Sequence, residues 1–422
     1  MNSIHTRRLT WLLFFGQSLS TAAYIAGTTI GVIIGANLSG QPALAGLPPA
    51  AFGLGTALAA YPAARLMERI GRRRGLMLGY AAGAAGALLA GVAVLLGNFG
   101  GFMLGFAGMG VARGFIDLGR YAAAEMNPAA ERARAISLVV LGGTLGALLG
   151  PALVAPTGDW ARSLGAPVLA GPWFASVGLY VIGFLLIGLF LRPDPTDLAR
   201  QFAATAAAAA SAAGNAAGHA ANLVVRPLRV ILSQPGNQLA ILAMVASQLV
   251  MSMVVGITGL HMTNHGHGLG DVSIMTMAHT LGMFGLSMVS GRLADNFGRV
   301  QTIVAGAVIL VVGCALAPLS LATSVLALSM FLIGLGWNFC YVAGAALLTD
   351  NLTLGERGRV QGGSDLAMGL LGSFGSLQSG LLFAWTGFTY LSIFGLAIGL
   401  LPLLLAIRHL ARRASQPQLA SS

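Results

Sequence analysis

The sequence predicts an all-α integral membrane protein with twelve transmembrane helices, arranged as two pseudo-symmetric bundles of six. Three observations lead to this fold class: the scarcity of charges, the one-sided placement of the arginines, and two loop motifs that occur twice. Apolar residues make up 56% of the 422 residues and charged residues only 8%, whereas a soluble domain carries about 25% charged residues. Lipid is therefore the expected solvent for most of the chain.

The same composition argues against a soluble enzyme, a nucleic-acid-binding protein, a disordered protein and a disulfide scaffold. The sequence contains neither the H-E-x-x-H motif of metal hydrolases nor a Walker-type nucleotide loop. We therefore expect no enzyme activity and no use of ATP. Cys314 and Cys340 lie inside apolar stretches and form no disulfide framework.

Twelve stretches reach the roughly 20 apolar residues that a transmembrane helix needs. They are residues 11–37, 48–66, 75–97, 99–125, 135–157, 170–191, 237–262, 271–293, 301–321, 324–349, 360–384 and 387–409. We predict an N-terminal bundle (1–191), a cytoplasmic central loop (192–236) that is rich in alanine, a C-terminal bundle (237–409) and a cytoplasmic tail (410–422). The first stretch is too long for a signal peptide, so we expect it to remain as span 1.

The arginines orient these spans. All 23 basic residues are arginine, and twenty of them lie at the termini, the central loop and the loops 2–3, 4–5, 8–9 and 10–11. Only Arg162 falls in a loop on the opposite side, while Arg113 and Arg120 lie within span 4. The positive-inside rule then places both termini in the cytoplasm. We expect the protein to reside in a bacterial inner membrane.

Two loop motifs occur in both halves. Residues 69–72 (Arg-Ile-Gly-Arg) after span 2 match residues 296–299 (Asn-Phe-Gly-Arg) after span 8, 227 positions later. Residues 131–134 (Glu-Arg-Ala-Arg) after span 4 match residues 356–359 (Glu-Arg-Gly-Arg) after span 10, 225 positions later. Two matches at nearly one offset indicate a duplication. Parallel repeats predict a pseudo-two-fold axis along the membrane normal and a binding site near the midplane.

The loop after span 8, residues 291–299, resembles the signature G-x-L-x-D-x-x-G-R of the major facilitator superfamily. The resemblance extends over nearly the whole chain and implies a secondary transporter that works by alternating access. The first copy of the loop departs from the pattern at Ala64 and Glu68. The resemblance also implies a latch that holds the outward-facing state, formed by Glu68, Arg69, Gly71 and Arg72 and by Gly291, Asp295, Gly298 and Arg299. A simpler interpretation is that these charges only set the topology.

Span 5 carries small residues four positions apart, at Gly142, Gly146 and Gly150, followed by Pro151. This run resembles the G-x-x-x-G-P signature of the superfamily's exporters, which favours efflux. The alternative is an ordinary seam, because small residues let neighbouring helices approach closely in lipid.

Span 4 contains three ionisable residues, Arg113, Asp117 and Arg120, at a spacing that places them on one helical face. Ionisable side chains within a span are costly and mark candidate functional sites. We interpret Arg113 and Asp117 as a site for an anionic group or for proton coupling, with a structural ion pair as the alternative. Arg120 lies near the cytoplasmic end, where a structural role is expected.

Spans 7 and 8 carry a face of methionine and histidine. Its pathway candidates are Gln248, Met251, Met262, His279 and Met283. Thioether and imidazole groups together suit Cu(I). The face is similar to that of the superfamily's copper importers for cytochrome oxidase assembly, which pair M-x-x-x-M in span 7 with H-x-x-x-M in span 8. Val255 replaces the second methionine of the first motif. Ordinary apolar packing is the alternative.

Two transported solutes follow from these candidates. The first is a soft metal such as copper, or its complex, carried by Met251, His279 and Met283. The second is a drug or organic anion exchanged for protons, recognised by Arg113 and Asp117. No bound cofactor is expected; a gradient of protons or of another ion supplies the energy. The expected partners are the solute and the lipid bilayer, and a single chain supplies both bundles, so we expect it to function as a monomer.

Overall fold

The computed structural model describes residues 3–127, 131–198, 200 and 226–414, so most of the predicted central loop and the end of the tail lie outside the described residues. All regular elements within these ranges are helices. The first half contains α1 (Ser3–Ser39), α2 (Leu47–Ile70), α3 (Arg72–Leu95), α4 (Phe99–Ile116), α5 (Gly119–Glu125), α6 (Arg132–Ser163) and α7 (Gly171–Phe190). The second half contains α8 (Leu228–Leu232), α9 (Pro235–Asn264), α10 (Leu269–Phe284), α11 (Ser287–Asn296), α12 (Arg299–Leu316), α13 (Thr323–Asp350) and α14 (Leu354–Ala414).

Eleven helical stretches of the described chain are long and apolar enough to cross a membrane. The last of them, Gly362–Ala411, has 50 residues, more than twice the roughly 20 that one crossing needs. Gly387 interrupts it with a φ of 77° and a ψ of 178°, so it supplies spans 11 and 12. The prediction of an all-helical protein with twelve spans is confirmed.

Two spans are broken helices, which the apolar pattern did not indicate. Span 4 consists of α4 and α5, which are separated at Asp117 and Leu118. Span 8 consists of α10 and α11, which are separated at Gly285 and Leu286. A break in a span frees backbone groups that must find other partners. Arg113 lies on α4, Asp117 at the break and Arg120 on α5, and Arg113 and Asp117 still share one face, on which they form an ion pair.

The chain forms two compact units. Unit 1 comprises Met1–Leu38 and Ala51–Asn222, and unit 2 comprises Ser39–Ala50 and Leu223–Ser422. The stretch 39–50 belongs to unit 2 because it packs on α14, where a side chain at Gly46 would collide with the carbonyl of Ser376. One of the three boundaries between the units falls inside the predicted central loop, and the other two flank the stretch 39–50.

Aromatic side chains fill the core of unit 1. Trp173 of α7 is fully buried and meets the rings of Phe102 and Phe106 edge-on, with centroids 5.1 and 5.4 Å apart. Such edge-to-face contacts add about 0.5–1.5 kcal/mol per pair beyond the burial of area. Helices α3 and α4 approach closely at Gly86 and Gly105, where an added Cβ would lie under 3 Å from the facing backbone. The glycine content of the spans thus serves close packing.

Unit 2 has a more aliphatic core, to which Met244, Ile303 and Leu347 contribute. A close glycine contact also occurs here, between Gly306 of α12 and Gly336 of α13, which correspond to spans 9 and 10. The two units therefore use the same kind of contact between their third and fourth spans, as expected of a duplicated bundle.

Candidate functional site

Arg113 of α4 lies against an aromatic wall in unit 1. Its guanidinium carbon is 4.6 Å from the centre of the Tyr24 ring and 5.8 Å from that of Phe52. The rings of Tyr24 and Phe52 are 5.5 Å apart, and Phe106 continues the wall 5.4 Å further on. A guanidinium over an aromatic face gains about 0.5–2 kcal/mol, more where water is excluded. The wall holds the cation of Arg113 in a fixed orientation within the span.

Asp117 anchors Arg113 from the break in span 4. The Nε of Arg113 donates to Oδ2 of Asp117 at 3.3 Å, and Nε2 of Gln17 donates to Oδ1 at 3.0 Å. The two terminal nitrogens of Arg113 make no hydrogen bond to any residue that the structure describes. The Arg113 side chain is 37% exposed, so these nitrogens are accessible to a solute. The arrangement presents a guanidinium whose fork of donors is unused.

Arg120 does not take part in this site. It lies on α5, beyond the break, where its guanidinium packs over the ring of Tyr121 at 4.9 Å. The spacing of the sequence places Arg113, Asp117 and Arg120 on one face of a continuous helix, but the break at Leu118 separates Arg120 from the other two.

Unit 2 contains a second cluster of polar and aromatic groups. The indole nitrogen of Trp337 donates to Oε1 of Gln248 at 3.0 Å, and Nε2 of Gln248 lies 3.3 Å from the hydroxyl of Ser252. The Trp337 ring stacks on Tyr341 with centroids 5.0 Å apart and planes inclined by 7°. Gln248 was a candidate from the sequence, whereas Trp337 was not. An aromatic residue within a span gives no pattern that separates a stacked pair from core packing.

The methionine and histidine face lies mostly inside unit 2. His279 is 5% exposed, Met275 is 1% exposed and Met262 is fully buried. The Nδ1 of His279 is 3.0 Å from the carbonyl oxygen of Met330 on α13. Met251 and Met283 are half-buried. No group of three His, Cys, Asp or Glu side chains in the described part of the chain could hold a metal ion. Coordination by Met251, His279 and Met283 stays a prediction.

The small residues of span 5 face the backbone of span 1. A Cβ added at Gly142, Gly146 or Gly150 would collide with carbonyl oxygens at Phe14, Ser18 or Ala22. The two series advance together by four residues, so α6 and α1 pack along a straight seam. Pro151 lies within α6, which continues to Ser163.

The 2–3 loop is fastened to two acidic residues. Arg72 forms a two-point ion pair with Glu125 at the end of α5, with Nε to Oε2 at 3.0 Å and Nη2 to Oε1 at 2.5 Å. The backbone N–H groups of Arg72 and Arg73 donate to the carboxylate of Asp194 at 3.2 and 3.1 Å. Asp194 therefore caps the first turn of α3. Glu68 and Arg69 are exposed.

The 8–9 loop repeats this pairing. Arg299 is bonded to Asp295 one turn earlier, and its Nε is 3.3 Å from Oδ2 of Asp350 at the end of α13. Asp350 follows Glu125 by 225 positions, which is the second repeat offset. Both acidic partners were missed because the loop motif does not contain them. An acid at the repeat offset, at the end of spans 4 and 10, is the signal that would have found them.

The 10–11 loop is fixed to the chain that precedes span 7. Glu356 is completely buried, and Arg226 binds its two oxygens through Nε at 2.8 Å and Nη2 at 2.7 Å. The backbone N–H groups of Arg226 and Thr353 donate to the same carboxylate, each at 3.0 Å. These bonds hold the pKa of Glu356 far below its usual range and raise the pKa of Arg226.

Comparison with known proteins decides the family. The model of the Major Facilitator Superfamily matches residues 11–268 and 239–421. The chain belongs to the Major Facilitator Superfamily. The MFS-type transporter YddS of Bacillus subtilis (strain 168) is 32% identical over 404 residues, which are 95% of this chain and 90% of YddS. The protein is thus a membrane transporter of small solutes.

One further relative and one solved structure also match over nearly the whole chain. The riboflavin transporter RfnT of Brucella anthropi is 29% identical over 414 residues, 95% of this chain and 96% of RfnT. The crystal structure of a D-xylose–proton symporter has a TM-score of 0.73 at 15% identity and covers 96% of this chain and 97% of its own. At that identity the likeness is one of fold. The predicted superfamily membership is confirmed, while the copper-importer resemblance gains no support and stays a prediction.

Both copies of the superfamily loop motif turn at a glycine. Gly71 and Gly298 immediately precede α3 and α12, with φ of 92° and 102° and ψ of 157° and 152°. Only glycine adopts this region readily, and other residues pay about 1–3 kcal/mol there. Gly291 lies within α11 with open space around it.

Substitution Gly71→Ala is expected to lower the free energy of unfolding by about 1–3 kcal/mol. The added Cβ would also come within 2.6 Å of Oδ2 of Asp194, which displaces the cap of α3. Thermal unfolding of the purified protein measures the loss. Gly178→Ala, in open space on α7, is the control and should be neutral or slightly stabilising. Equal unfolding temperatures for the two variants would contradict the strain argument.

Proposed function

We propose that the protein is a secondary active transporter that carries a planar organic solute by alternating access of its two halves. The solute is a ring system whose edge bears carbonyl or carboxylate acceptors. The observation that carries this proposal is the half-exposed guanidinium of Arg113, stacked on Tyr24 with two nitrogens unused. A planar fork of this kind matches carboxylates and carbonyl edges, and its face stacks on aromatic rings.

Charge around Arg113 favours an organic acceptor over a metal cation. Asp117 takes one edge of the guanidinium and also accepts from Gln17. Both carboxylate oxygens of Asp117 therefore already have donors. The positive charge of Arg113 would repel a metal cation. A ring system with acceptors on its edge could instead accept hydrogen bonds from the terminal nitrogens of Arg113 and pack against the ring of Tyr24.

The cluster in unit 2 supports the same class of solute. Gln248 offers an amide held by Trp337 and Ser252, and Trp337 and Tyr341 form a rigid stacked pair. Aromatic side chains with a few placed polar groups are the usual lining of small-molecule sites. RfnT is named a riboflavin transporter, and riboflavin is a fused ring system with carbonyl acceptors. Riboflavin is therefore the first solute to test.

Energy, direction and placement complete the proposal. A proton or another ion gradient supplies the energy. The positions of the arginines support an inner membrane with both termini in the cytoplasm. Residues 142–151 resemble the signature of the superfamily's exporters, so we propose efflux in exchange for protons, carried out by a monomer. The close contact of these residues with α1 is equally expected of an ordinary packing seam.

Flux of riboflavin in proteoliposomes tests the proposal. Protein is reconstituted, a pH gradient of either sign is imposed, and fluorescence of riboflavin is followed on both sides. We expect saturable flux that a protonophore abolishes. Trp337→Ala should slow it by about tenfold, because the buried indole holds Gln248 and stacks on Tyr341, and one aromatic pair contributes about 1.5 kcal/mol at most. Trp160→Ala, at an indole that is 55% exposed, is the matched control. No flux of riboflavin or of other planar ring acids in any gradient would overturn the proposal.

The metal hypothesis is the second candidate, because one observation favours it. A metal-binding histidine usually has its other ring nitrogen held by a backbone carbonyl or carboxylate, and the Nδ1 of His279 is held by Met330. The same proteoliposomes are therefore assayed with Cu(I) under anaerobic conditions. Copper flux that disappears in a His279→Ala, Met283→Ala variant, with no riboflavin flux, would replace the first proposal by the second.

A further inference from the structure

A cavity of about 540 Å³ opens at the end of unit 1 that carries the 4–5 loop. It lies between the first turns of α1 and the beginning of α6. Its polar lining includes Arg7, Asn127, Glu131 and Arg134. Its volume falls in the range of about 300–1,000 Å³ that is typical of small-molecule sites. The cavity is separate from the Arg113 site, and the proposed function makes no use of it.

The lining combines both signs of charge with apolar surface. Arg7, Glu131 and Arg134 are all exposed, and no ion pair of Glu131 is found among the described residues. Trp11 and Leu141 line the same cavity and are 39% and 56% exposed. A ligand of matching chemistry carries an anion, a cation and an apolar part.

The duplication shows what a carboxylate at this position binds. Glu131 begins the motif that recurs at Glu356, 225 residues later. Glu356 is buried and takes four N–H donors, three of them from Arg226. In unit 1 the equivalent carboxylate lines an open cavity instead. The place that a cationic group with several N–H donors fills in unit 2 is therefore available to a ligand in unit 1.

We propose that this cavity binds the headgroup of an aminophospholipid, with phosphatidylethanolamine as its representative. The primary ammonium donates to Glu131, and the phosphate lies against Arg7 and Arg134. The acyl chains run along Trp11 and Leu141. Basic pockets between transmembrane helices on the cytoplasmic side bind lipid headgroups, and tryptophan is enriched at the membrane interface. Glu131 selects a headgroup that also has a cation with N–H groups.

Native mass spectrometry of the full-length protein tests this proposal. Detergent-purified protein is titrated with phosphatidylethanolamine, phosphatidylcholine, phosphatidylglycerol or soluble glycerophosphoethanolamine. Phosphatidylcholine has no N–H donors, phosphatidylglycerol has no cation, and the soluble compound has no acyl chains. We expect phosphatidylethanolamine to bind most tightly. Glu131→Gln and Arg134→Gln should each weaken it by about tenfold, as expected for a lost hydrogen bond to a charged group.

Asp159→Asn is the matched control, because Asp159 is an exposed carboxylate at the other end of α6. It should bind phosphatidylethanolamine as the wild type does. Equal binding of the three lipids, or binding that neither Glu131→Gln nor Arg134→Gln changes, would overturn the proposal. Soluble glycerophosphoethanolamine that binds as tightly as the lipid would overturn the assignment to a membrane lipid, since the chains would then contribute nothing.

Discussion

Arg113→Lys is expected to reduce riboflavin flux by about 10- to 100-fold, because hydrogen bonds to charged groups contribute about 1.5–3 kcal/mol. Lysine keeps the positive charge but lacks the planar fork and the flat face that stacks on Tyr24. The loss therefore tests the geometry of the guanidinium rather than its charge. The measurement is kcat/KM for flux in proteoliposomes, with the amount of correctly folded protein determined by size-exclusion chromatography.

Arg65→Lys is the matched control for Arg113→Lys. Arg65 also lies over a tyrosine, with its guanidinium carbon 4.7 Å from the centre of the Tyr61 ring, but Tyr61 is 63% exposed. This substitution should leave flux within about twofold of wild type, as is usual for exposed positions. Retention of full flux by Arg113→Lys would show that only charge matters at this position and would remove the main support for a planar solute.

Glu356→Gln is expected to lower the unfolding temperature by about 5 °C. The buried carboxylate accepts from four N–H groups. A glutamine amide offers one acceptor oxygen, and its NH2 group faces donors at the other position. Arg226 then loses part of its ion pair in a place where its partner is fully buried. Differential scanning fluorimetry or calorimetry of the purified protein measures the shift.

The pH dependence of that shift has a definite sign. The bonds from Arg226 lower the pKa of Glu356, so the folded state holds the carboxylate ionised to a lower pH than the unfolded chain does. Stability from this pair is fully present above the ordinary glutamate pKa of about 4.3. It is lost as pH falls through the lowered pKa. The difference in unfolding temperature between wild type and Glu356→Gln should be constant from pH 5 to 7 and should become smaller below about pH 4.

Glu131→Gln serves as the control for Glu356→Gln because it is the same substitution at the repeated position. In detergent without phosphatidylethanolamine, this exposed residue should change the unfolding temperature by no more than about 2 °C. A comparable loss in both variants would mean that burial of Glu356 is not the cause. If the difference in unfolding temperature between wild type and Glu356→Gln became smaller as the pH fell from 7 to 5, the pKa of Glu356 would not be lowered in the folded state.

The spans were predictable because lipid imposes a strong and local constraint. A stretch of apolar residues long enough to cross the bilayer has few alternatives to a helix, so all twelve spans could be read from composition. The breaks at Leu118 and Gly285 were not visible, since each depends on contacts with other helices. Gly387, by contrast, was within two residues of the predicted boundary between spans 11 and 12.

The candidate site was predictable only in its charges. Arg113 and Asp117 stand out because ionisable residues are rare in spans. The ring of Trp337 did not, because an aromatic residue in a span needs no partner to explain it. Which ring lies beside which cation depends on the rotation of α1 against α4. That rotation is set by packing, including the glycine seam of α6, and one sequence does not encode it in any local pattern.

The two ends of the central segment are held independently. Asp194 caps α3 within unit 1, and Arg226 binds Glu356 within unit 2. Neither attachment uses a residue between positions 201 and 225. Extra sequence inserted between the two anchors would touch none of these bonds. The interval is therefore a suitable insertion point for an affinity tag or a fluorescent reporter.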